Sequence, residues 1–419
     1  MLRNMPEAIS LYIHIPFCRH RCAYCDFNTY AGQEDLIPAY VQALQREITQ
    51  VAGRLSSLVE VGTIFFGGGT PTNIPAEGLE NILDTCRRVF RLSEDCEISV
   101  EANPGTVSRE GLRKLREAGF NRISLGMQSA SINELRLLER EHSPVTVIEA
   151  VEAARLAGFD NINLDLIFGI PGQTMDTWQQ SLNFALSLKP EHLSLYALTI
   201  EHGTPFKKWI DRGLVNAPDD DLAADQYEYA CQVVDSIGYD HYEISNWAIK
   251  RKGRSLTCRH NLQYWRYLPY IGLGAGAHGF LQGYRTVNVR GIKAYVERMI
   301  SAPVMPYPAS SAAEQVNELD IWTQMQEKMM VGLRLLKEGV ETNGFVQQFG
   351  IEIEEVFGSL ISRLIRQGLL EWAETDEKRC VRLSRGGWLL GNRVFREFVG
   401  LPEPAVIQNK IHSTTTRVP

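Results

Sequence analysis

The 419-residue sequence has no large excess of charge of either sign and no long apolar run. Its 43 basic and 50 acidic residues give a formal charge of −7, which argues against nucleic acid or anionic membranes as partners. No apolar run approaches the roughly 18 residues of a membrane span. The first, residues 11–17, is interrupted by His14 and Pro16, which is unlike the core of a signal peptide. We therefore expect a cytoplasmic protein whose eight cysteines are reduced.

Short apolar runs alternate with amphipathic stretches over the first two-thirds of the chain, which is typical of an α/β protein. The predicted strands are residues 10–16, 61–66, 97–101, 122–126, 161–167 and 192–198, and the predicted helices include residues 35–51, 110–118, 145–157 and 175–188. The sequence around Gly119 recurs around Gly158 and, more weakly, around Gly238, at the spacing of α/β units. Six continuous apolar strands before residue 200 predict a parallel sheet and a partial (β/α) barrel of the TIM type.

A Pro-rich stretch separates this region from a smaller C-terminal module. We assign residues 1–300 to the barrel, 301–315 to a linker, 316–400 to a helical domain and 401–419 to a flexible tail. Helical patterns at about 317–336 and 351–366 precede a hairpin (369–372 and 380–383, turn at 375–378) and a last helix, which predict a winged-helix-like fold. Residues 311–400 carry 11 basic and 14 acidic side chains, which disfavours a DNA-binding face.

Three cysteines, Cys18, Cys22 and Cys25, form a C-x3-C-x2-C motif in the loop after the first predicted strand. Three thiolates this close can ligate three irons of a [4Fe-4S] cluster, which leaves the fourth iron for an exogenous ligand. A structural zinc site completed by His14 or His20 is the alternative. The motif follows a strand, where barrel enzymes place their chemistry, and this position favours the cluster.

With this motif and the string Y-I-H-I-P-F-C at residues 12–18, the sequence resembles the radical S-adenosylmethionine (SAM) family of oxygen-independent coproporphyrinogen III oxidase and its heme-chaperone relatives. The resemblance covers nearly the whole chain. It implies the partial (β/α)6 barrel of radical SAM proteins with a small C-terminal helical domain. It also implies a [4Fe-4S] cluster on the three cysteines, with SAM bound to the open iron through its amino and carboxylate groups.

The resemblance assigns backbone and aromatic contacts to SAM. Gly68, Gly69 and Thr70 lie in the G-G-G-T-P turn after the second strand, where glycines admit close approach of the backbone to a ligand. Tyr12 and Tyr24 also match cofactor-contacting positions of the family.

Four polar side chains complete the SAM site that the resemblance implies. Glu101 and Arg140 hold the charged methionine end, where the planar fork of Arg suits a carboxylate. Gln128 and Asp165 bond the ribose hydroxyls. Glu101, Gln128 and Asp165 follow or end successive predicted strands, so we expect them to converge on one cavity.

Two features disfavour the oxidase branch of the family. Phe27 stands where the oxidases have a further cysteine. Only 17 residues precede the cysteine motif, whereas the oxidases have a longer N-terminal extension that shapes their substrate site.

The motif H-N-x-x-Y-W at residues 260–265 is instead typical of the heme-chaperone branch. A histidine beside aromatic side chains can supply an axial nitrogen to heme iron, so His260 is a candidate heme-linked residue and Cys258 a weaker one. A G-x-G-x-x-G spacing at 274–279 has no clear βαβ unit around it, so we do not expect a dinucleotide-binding loop there. We expect His278, in the same segment, to be a packing residue.

The sequence therefore predicts a heme chaperone that binds heme and transfers it to acceptor proteins, carrying a [4Fe-4S] cluster and SAM. The alternatives are an oxygen-independent coproporphyrinogen III oxidase, which forms protoporphyrinogen IX by radical decarboxylation, and a zinc-stabilised interaction protein. The partners expected for the chaperone are heme, heme-accepting proteins such as respiratory ones, an electron donor for the cluster and, through peripheral contact, membrane proteins.

Overall fold

Six parallel strands form the centre of the computed structural model, which describes residues 8–55, 59–375 and 378–407. They are adjacent in chain order: β1 (Ile9–Ile15), β2 (Glu60–Gly68), β3 (Arg91–Ala102), β4 (Arg122–Gln128), β5 (Ile162–Phe168) and β6 (His192–Ala197). All six were predicted, although β3 begins at Arg91 rather than at residue 97. Their parallel pairing confirms the α/β class and the partial (β/α)6 barrel.

Helices connect these strands, as the amphipathic stretches predict. Their bounds are Ile37–Ala52, Ala76–Val89, Arg109–Glu117, Ile132–Leu137, Pro144–Leu156 and Met175–Ser187, with Pro205–Asp211 and Asp220–Ser236 after β6. The Ser143 side chain caps its helix by accepting a hydrogen bond from the backbone of Thr146, and Pro144 occupies the first turn. The repeated glycines Gly119, Gly158 and Gly238 have φ angles of 102°, 93° and 89°, so each ends a helix in the left-handed conformation predicted for it.

The sheet extends beyond the six parallel strands. On the β1 side, strand Tyr270–Leu273 pairs in parallel with β1 and is followed outward by His278–Leu281, Tyr284–Asn288 and Ala313–Glu318. On the other side, strand Asn246–Ala248 pairs antiparallel with β6. Further short elements are the strands Phe17–Cys18, Tyr30–Ala31, Asp240–Glu243, Lys250–Arg251 and Arg254–Ser255, the helices Arg259–Trp265 and Ile292–Ser301, and the 3-10 helices Glu34–Leu36, Pro71–Asn73 and Pro104–Thr106.

The stretch predicted as a linker, residues 301–315, contributes to this sheet. It contains the start of strand Ala313–Glu318, and residues 309–312 are buried. The Ser310 hydroxyl donates to Glu47 Oε1 at 2.6 Å, and Gln50 Nε2 donates to Ser311 Oγ at 2.9 Å, which holds the stretch against helix Ile37–Ala52. The helix predicted from residue 317 therefore begins only at Ile321, after the capping residue Asp320.

The chain divides into two compact units, of which the second comprises His241–Ile244, Asn261–Leu268 and Glu318–Pro419. Five of the six residues of the predicted barrel motif at 260–265, residues 261–265, thus group with the C-terminal part of the chain. The domain boundaries given above otherwise stay predictions. No helix within the described ranges has the length and apolar character needed to cross a membrane.

The second unit contains the predicted helix-and-hairpin module. Its helices after residue 318 are Ile321–Gly332, Thr342–Phe349, Ile353–Arg366 and Gly391–Arg396, and its three-stranded antiparallel sheet consists of Val340–Glu341, Leu370–Thr375 and Lys378–Leu383. The aromatic side chains of Trp322, Phe345, Phe357 and Phe398 lie in its core. Ile407 is 2% exposed and belongs to that core, and Leu401 and Val406 pack against it, whereas Pro402 and Glu403 are exposed. Residues 408–419 of the predicted flexible tail lie outside the described residues.

Candidate cofactor site

A cavity of about 370 Å³ lies at the carboxyl ends of the parallel strands, lined by residues from the ends of β2 to β6 and from the loop after β1. Barrel proteins of this kind place their ligands at this end of the sheet. Eleven of the thirteen residues predicted to bind the cluster, SAM or heme line it. They are Cys18, Cys22, Tyr24, Cys25, Gly68, Gly69, Thr70, Glu101, Gln128, Arg140 and Asp165.

The three motif cysteines face this cavity from one loop. Cys18 ends the short strand Phe17–Cys18, which pairs with Tyr30–Ala31 and thereby closes the loop at its base. Its Sγ lies 3.7 Å from Thr70 Oγ1, and Cys25 Sγ lies 3.8 Å from Thr29 Oγ1. Burial raises the pKa of the Cys18 thiol to about 11 and also raises the pKa of Cys22, so these thiols are neutral until a metal binds and displaces their protons.

The donor set fits a cluster better than a single zinc ion. Among the residues that the structure describes, no three His, Cys, Asp or Glu side chains converge as a single metal ion requires. His14 uses both ring nitrogens for other bonds, to Tyr12 OH at 3.0 Å and to Asn28 O at 2.9 Å. His20 is exposed and lies 3.3 Å from a Glu139 carboxylate oxygen. Three thiolates that line one cavity suit a cubane, in which each can bind a different iron.

Two glycines of the turn after β2 are required by close packing around the cysteine loop. Gly68 has a φ of 120°, and a Cβ there would lie 2.5 Å from Cε1 of His14. A Cβ on Gly69 would lie 2.7 Å from Phe17 O and 3.0 Å from Cys18 Sγ. A side chain at either position would displace the cysteine loop or its support, so the turn leaves backbone rather than side chains facing a ligand.

Arg140 is held at the wall of the cavity by several acceptors. Its Nη1 lies 3.7 Å from Cys22 Sγ, and its Nη2 donates to Gly126 O at 3.0 Å and to Asn103 Oδ1. Asn103 in turn donates to Thr70 Oγ1 at 3.0 Å. The guanidinium is thereby fixed beside the cysteines, where it can meet an anionic group of a ligand. Sequence reasoning missed Asn103, although its position just after β3 was a usable signal.

Two carboxyl groups face the same cavity. Glu101 Oε2 accepts a hydrogen bond from Gly68 N at 3.1 Å, and Asp165 accepts from Ser124 Oγ at 2.8 Å and Asn163 Nδ2 at 2.7 Å. Burial, followed by the nearby Asp165 charge, raises the pKa of Glu101 to about 7, and burial also raises the pKa of Asp165. A cationic ligand group beside Glu101 would favour the charged form of its carboxyl.

Gln128 and Tyr24 complete the wall of the cavity. Gln128 has a φ of 64°, a left-handed backbone conformation that is uncommon outside glycine and that coincides with a register shift between β4 and β5. Strained backbone of this kind clusters at ligand sites, because the surrounding structure must enforce it. Tyr24 is half-buried and lies near Arg140.

Tyr12 and His260 do not line the cavity. Tyr12 is half-buried, and its hydroxyl lies 3.0 Å from His14 Nδ1. His260 is 1% exposed; its Nδ1 lies 2.7 Å from Thr63 Oγ1, its backbone N donates to Glu97, and its ring stacks on Phe65 at 5.1 Å. Burial lowers the pKa of His260 to about 3. The structure therefore encloses His260 among Thr63, Phe65 and Glu97, and its heme-linked role stays a prediction. Cys258 is likewise fully buried.

The G-x-G-x-x-G segment supports the cysteine loop. Gly274 N donates to Glu47 Oε2 at 2.7 Å, and Ala275 N donates to Tyr40 OH at 2.9 Å. Asn28, from the cysteine loop, donates through Nδ2 to Ala275 O at 3.0 Å. These bonds give the segment a structural role, as expected for a motif outside a βαβ unit. Asn28 was missed, because its partners lie about 250 positions away in the chain.

Comparison with known proteins fits this architecture. Residues 12–185 match the model of the Radical SAM superfamily, and residues 319–390 match the model of the HemN C-terminal domain. The fold and the cavity therefore define a radical SAM protein with a HemN-type C-terminal domain.

Curated relatives specify the family further. The chain is 39% identical over 392 residues to the heme chaperone HemW of Bacillus subtilis (93% of this chain, 99% of the relative). It is 36% identical to HemW of Lactococcus lactis, over 93% of this chain and 97% of that protein. The chain belongs to the HemW family. Coproporphyrinogen III oxidase (HemN) from Escherichia coli shares its fold, with a TM-score of 0.78 at 23% identity over 95% of this chain and 92% of that one.

Proposed function

We propose that this protein binds heme and transfers it to heme-accepting proteins, and that it carries a [4Fe-4S] cluster and SAM. The observation that carries the proposal is the 39% identity to a heme chaperone across 93% of this chain and 99% of that relative. The grouping of the cluster and SAM residues around one cavity supports the cofactor assignment.

In this proposal Cys18, Cys22 and Cys25 hold three irons, and the bound cluster supplies an electron to SAM. The protein contributes position and charge. Arg140, fixed by its bonds to Gly126 and Asn103, orients the SAM carboxylate.

The carboxyl groups at the strand ends recognise the remaining polar groups of SAM. Glu101, anchored by Gly68 N, meets the SAM ammonium. Asp165, held by Ser124 and Asn163, accepts from ribose hydroxyls, and Gln128 contributes a second polar contact there.

The oxidase alternative shares the fold and differs at the mouth of the cavity. Phe27, which stands where the resembled oxidases have a further cysteine, is 64% exposed and lines the cavity. The apolar ring of Phe27 cannot supply a thiol, either to a decarboxylation reaction or to a cluster. This difference favours the heme chaperone over the oxidase.

Further partners belong to the same proposal. We propose that an electron donor docks at the cysteine loop, because Arg19, His20 and Arg21 are exposed there and offer a basic face to an acidic carrier. We also propose a cytoplasmic site of action and peripheral contact with membrane-bound respiratory acceptors.

The direct test is heme binding followed by heme transfer. Purified protein is titrated with hemin, and the loaded protein is mixed with apomyoglobin as a probe acceptor. We expect a saturable Soret band and a transfer rate that rises with acceptor concentration. Absence of saturable binding would overturn the chaperone proposal, and CO₂ release from coproporphyrinogen III under anaerobic, reducing conditions would favour the oxidase.

A further inference from the structure

A second cavity, of about 480 Å³, lies within the C-terminal unit, and no residue assigned to the cluster or SAM lines it. Its walls come from residues 265–268, the end of helix Ile321–Gly332, the turn and strand that follow, Gly344, and strand Lys378–Leu383. A cavity of this size suits a cofactor-sized organic ligand. The function proposed above leaves it without a role.

Glycines shape the walls of this cavity. A Cβ on Gly332 would lie 2.7 Å from Val340 Cγ2, and Gly339 has a φ of 57° with Val381 O only 2.3 Å from a Cβ position. Gly332 thus lets the strand at Val340 approach the helix, and Gly339 lets the turn before Val340 approach strand Lys378–Leu383. Gly344 is different, because a Cβ there would meet only Glu341 Oε2, at 4.0 Å. The Gly344 position therefore faces open space.

Trp265 supplies an aromatic wall. The Arg334 guanidinium lies 4.4 Å from its ring centroid, within cation–π range. Its indole Nε1 is buried and has no hydrogen-bond partner among the described residues. A buried N–H without an acceptor is costly, and a ligand that offers an oxygen would remove that cost.

Lys328 supplies a cation that, within the described part of the chain, has no carboxylate at ion-pair distance, although the nearby Glu341 charge favours its ammonium form. Its Nζ donates to Arg266 O at 3.0 Å. The two carboxylates of the cavity wall are engaged elsewhere. Glu338 accepts two bonds from Arg266, at 2.9 and 2.6 Å, and Glu341 lies 3.3 Å from Lys378. Burial lowers the pKa of Lys328 to about 8, so the ammonium still predominates at neutral pH.

We propose that this cavity binds the carboxylate-bearing edge of heme, with one propionate on the Lys328 ammonium and the macrocycle against Trp265. The inference rests on the proposed function, which supplies a flat, apolar ligand with carboxylate groups. Three cations and two carboxylates line the cavity, so its net charge of 3 − 2 = +1 favours an anion. Leu268, Leu335 and Val340 add the apolar surface that such a ring requires.

The test compares hemin with hemin dimethyl ester, which has the same ring and no free carboxylate. Lys328→Met in the full-length protein keeps the length of the side chain and removes its charge. We expect its Kd for hemin to rise about 10- to 100-fold, the usual effect of losing a hydrogen bond to a charged group. Its Kd for the dimethyl ester should stay within twofold of wild type. The matched control is Lys293→Met, an exposed lysine on helix Ile292–Ser301.

A second variant fills the cavity without touching a charge. Gly344→Leu places a side chain in the open space, and the replacement is compatible with helix Thr342–Phe349, where glycine is a poor helix former. We expect it to weaken binding of both hemin and the dimethyl ester. Gly358→Leu, on helix Ile353–Arg366 and away from the cavity, is the matched control.

The outcomes separate this inference from the function on which it rests. If wild-type protein fails to bind hemin, the proposed function fails. If wild type binds hemin and both Lys328→Met and Gly344→Leu bind it as tightly, the chaperone proposal stands and the cavity assignment is overturned. If Lys328→Met does not fold, unchanged hemin binding by Gly344→Leu is sufficient to overturn the assignment.

Discussion

Replacing Glu101 by Gln should stabilise the SAM-free protein above pH 7, although it removes a carboxylate proposed to bind SAM. Burial and the Asp165 charge raise the pKa of Glu101 from 4.5 to about 7. The folded state therefore binds this proton more tightly than the unfolded chain does. The free energy of unfolding therefore falls as pH rises from about 4.5 to about 7, because Glu101 loses its proton in a buried place. Above pH 7 the protein carries the full cost of the buried Glu101 charge.

The magnitude follows from the shift in pKa. Each unit corresponds to about 1.4 kcal/mol, so a shift from 4.5 to about 7 gives an upper value of about 3 kcal/mol. Glu101 lines a cavity that water can enter, and this screening lowers the expected gain to between about 1 and 3 kcal/mol. Gln keeps an oxygen that can accept from Gly68 N, so the exchange removes the charge and little else.

Thermal unfolding of the cluster-loaded, SAM-free protein between pH 5 and pH 8.5 measures this effect. The difference in unfolding midpoint between Glu101→Gln and wild type should grow with pH to several degrees. Glu152→Gln, an exposed change on helix Pro144–Leu156, is the control and should show no such growth. A Glu101→Gln difference that stays constant across the range would refute the reasoning.

Two further substitutions test the packing around the site. Gly69→Ala should lower the iron content of the reconstituted protein severalfold, because its Cβ would lie 3.0 Å from Cys18 Sγ. The control is Gly105→Ala, whose Cβ would have no atom within 4 Å and which should keep the wild-type iron content. Equal iron contents in the two variants would contradict this prediction. His260→Ala should lower the free energy of unfolding by about 1–3 kcal/mol, because the bond to Thr63 is lost, and denaturant unfolding measures this change. Its affinity for hemin, measured by Soret titration, should stay unchanged. A normal unfolding curve with lost hemin binding would support the heme-linked role.

Local sequence patterns predicted the central fold. The six parallel strands are continuous apolar runs, and the helices between them carry local signals such as the Ser143 cap and the glycines after helix ends. Strands Ala313–Glu318 and Val340–Glu341 were not predicted, because one is largely polar and the other has two residues. Their pairing depends on distant parts of the chain, which no local pattern reports.

The same distinction applies to the cofactor site. Glu101 and Gln128 were predictable because they lie at the ends of parallel strands, whose carboxyl ends meet at one edge of a sheet, whereas Asp165 lies in the middle of β5. The burial of His260 was not predictable, because it depends on bonds that His260 makes to Thr63 and Glu97, far away in sequence. The H-N-x-x-Y-W motif singled out His260 but gave no information on the residues that surround its ring.

The central claim is that three cysteines hold a [4Fe-4S] cluster with SAM on its open iron. Anaerobic reconstitution, followed by iron, sulfide, zinc and SAM analysis of one sample, tests it most directly. We predict one cluster and one SAM for each chain, with both lost in Cys18→Ala, Cys22→Ala and Cys25→Ala and kept in Cys86→Ala, a buried cysteine outside the cavity. Stoichiometric zinc without iron, or full SAM binding by the three motif variants, would contradict the claim.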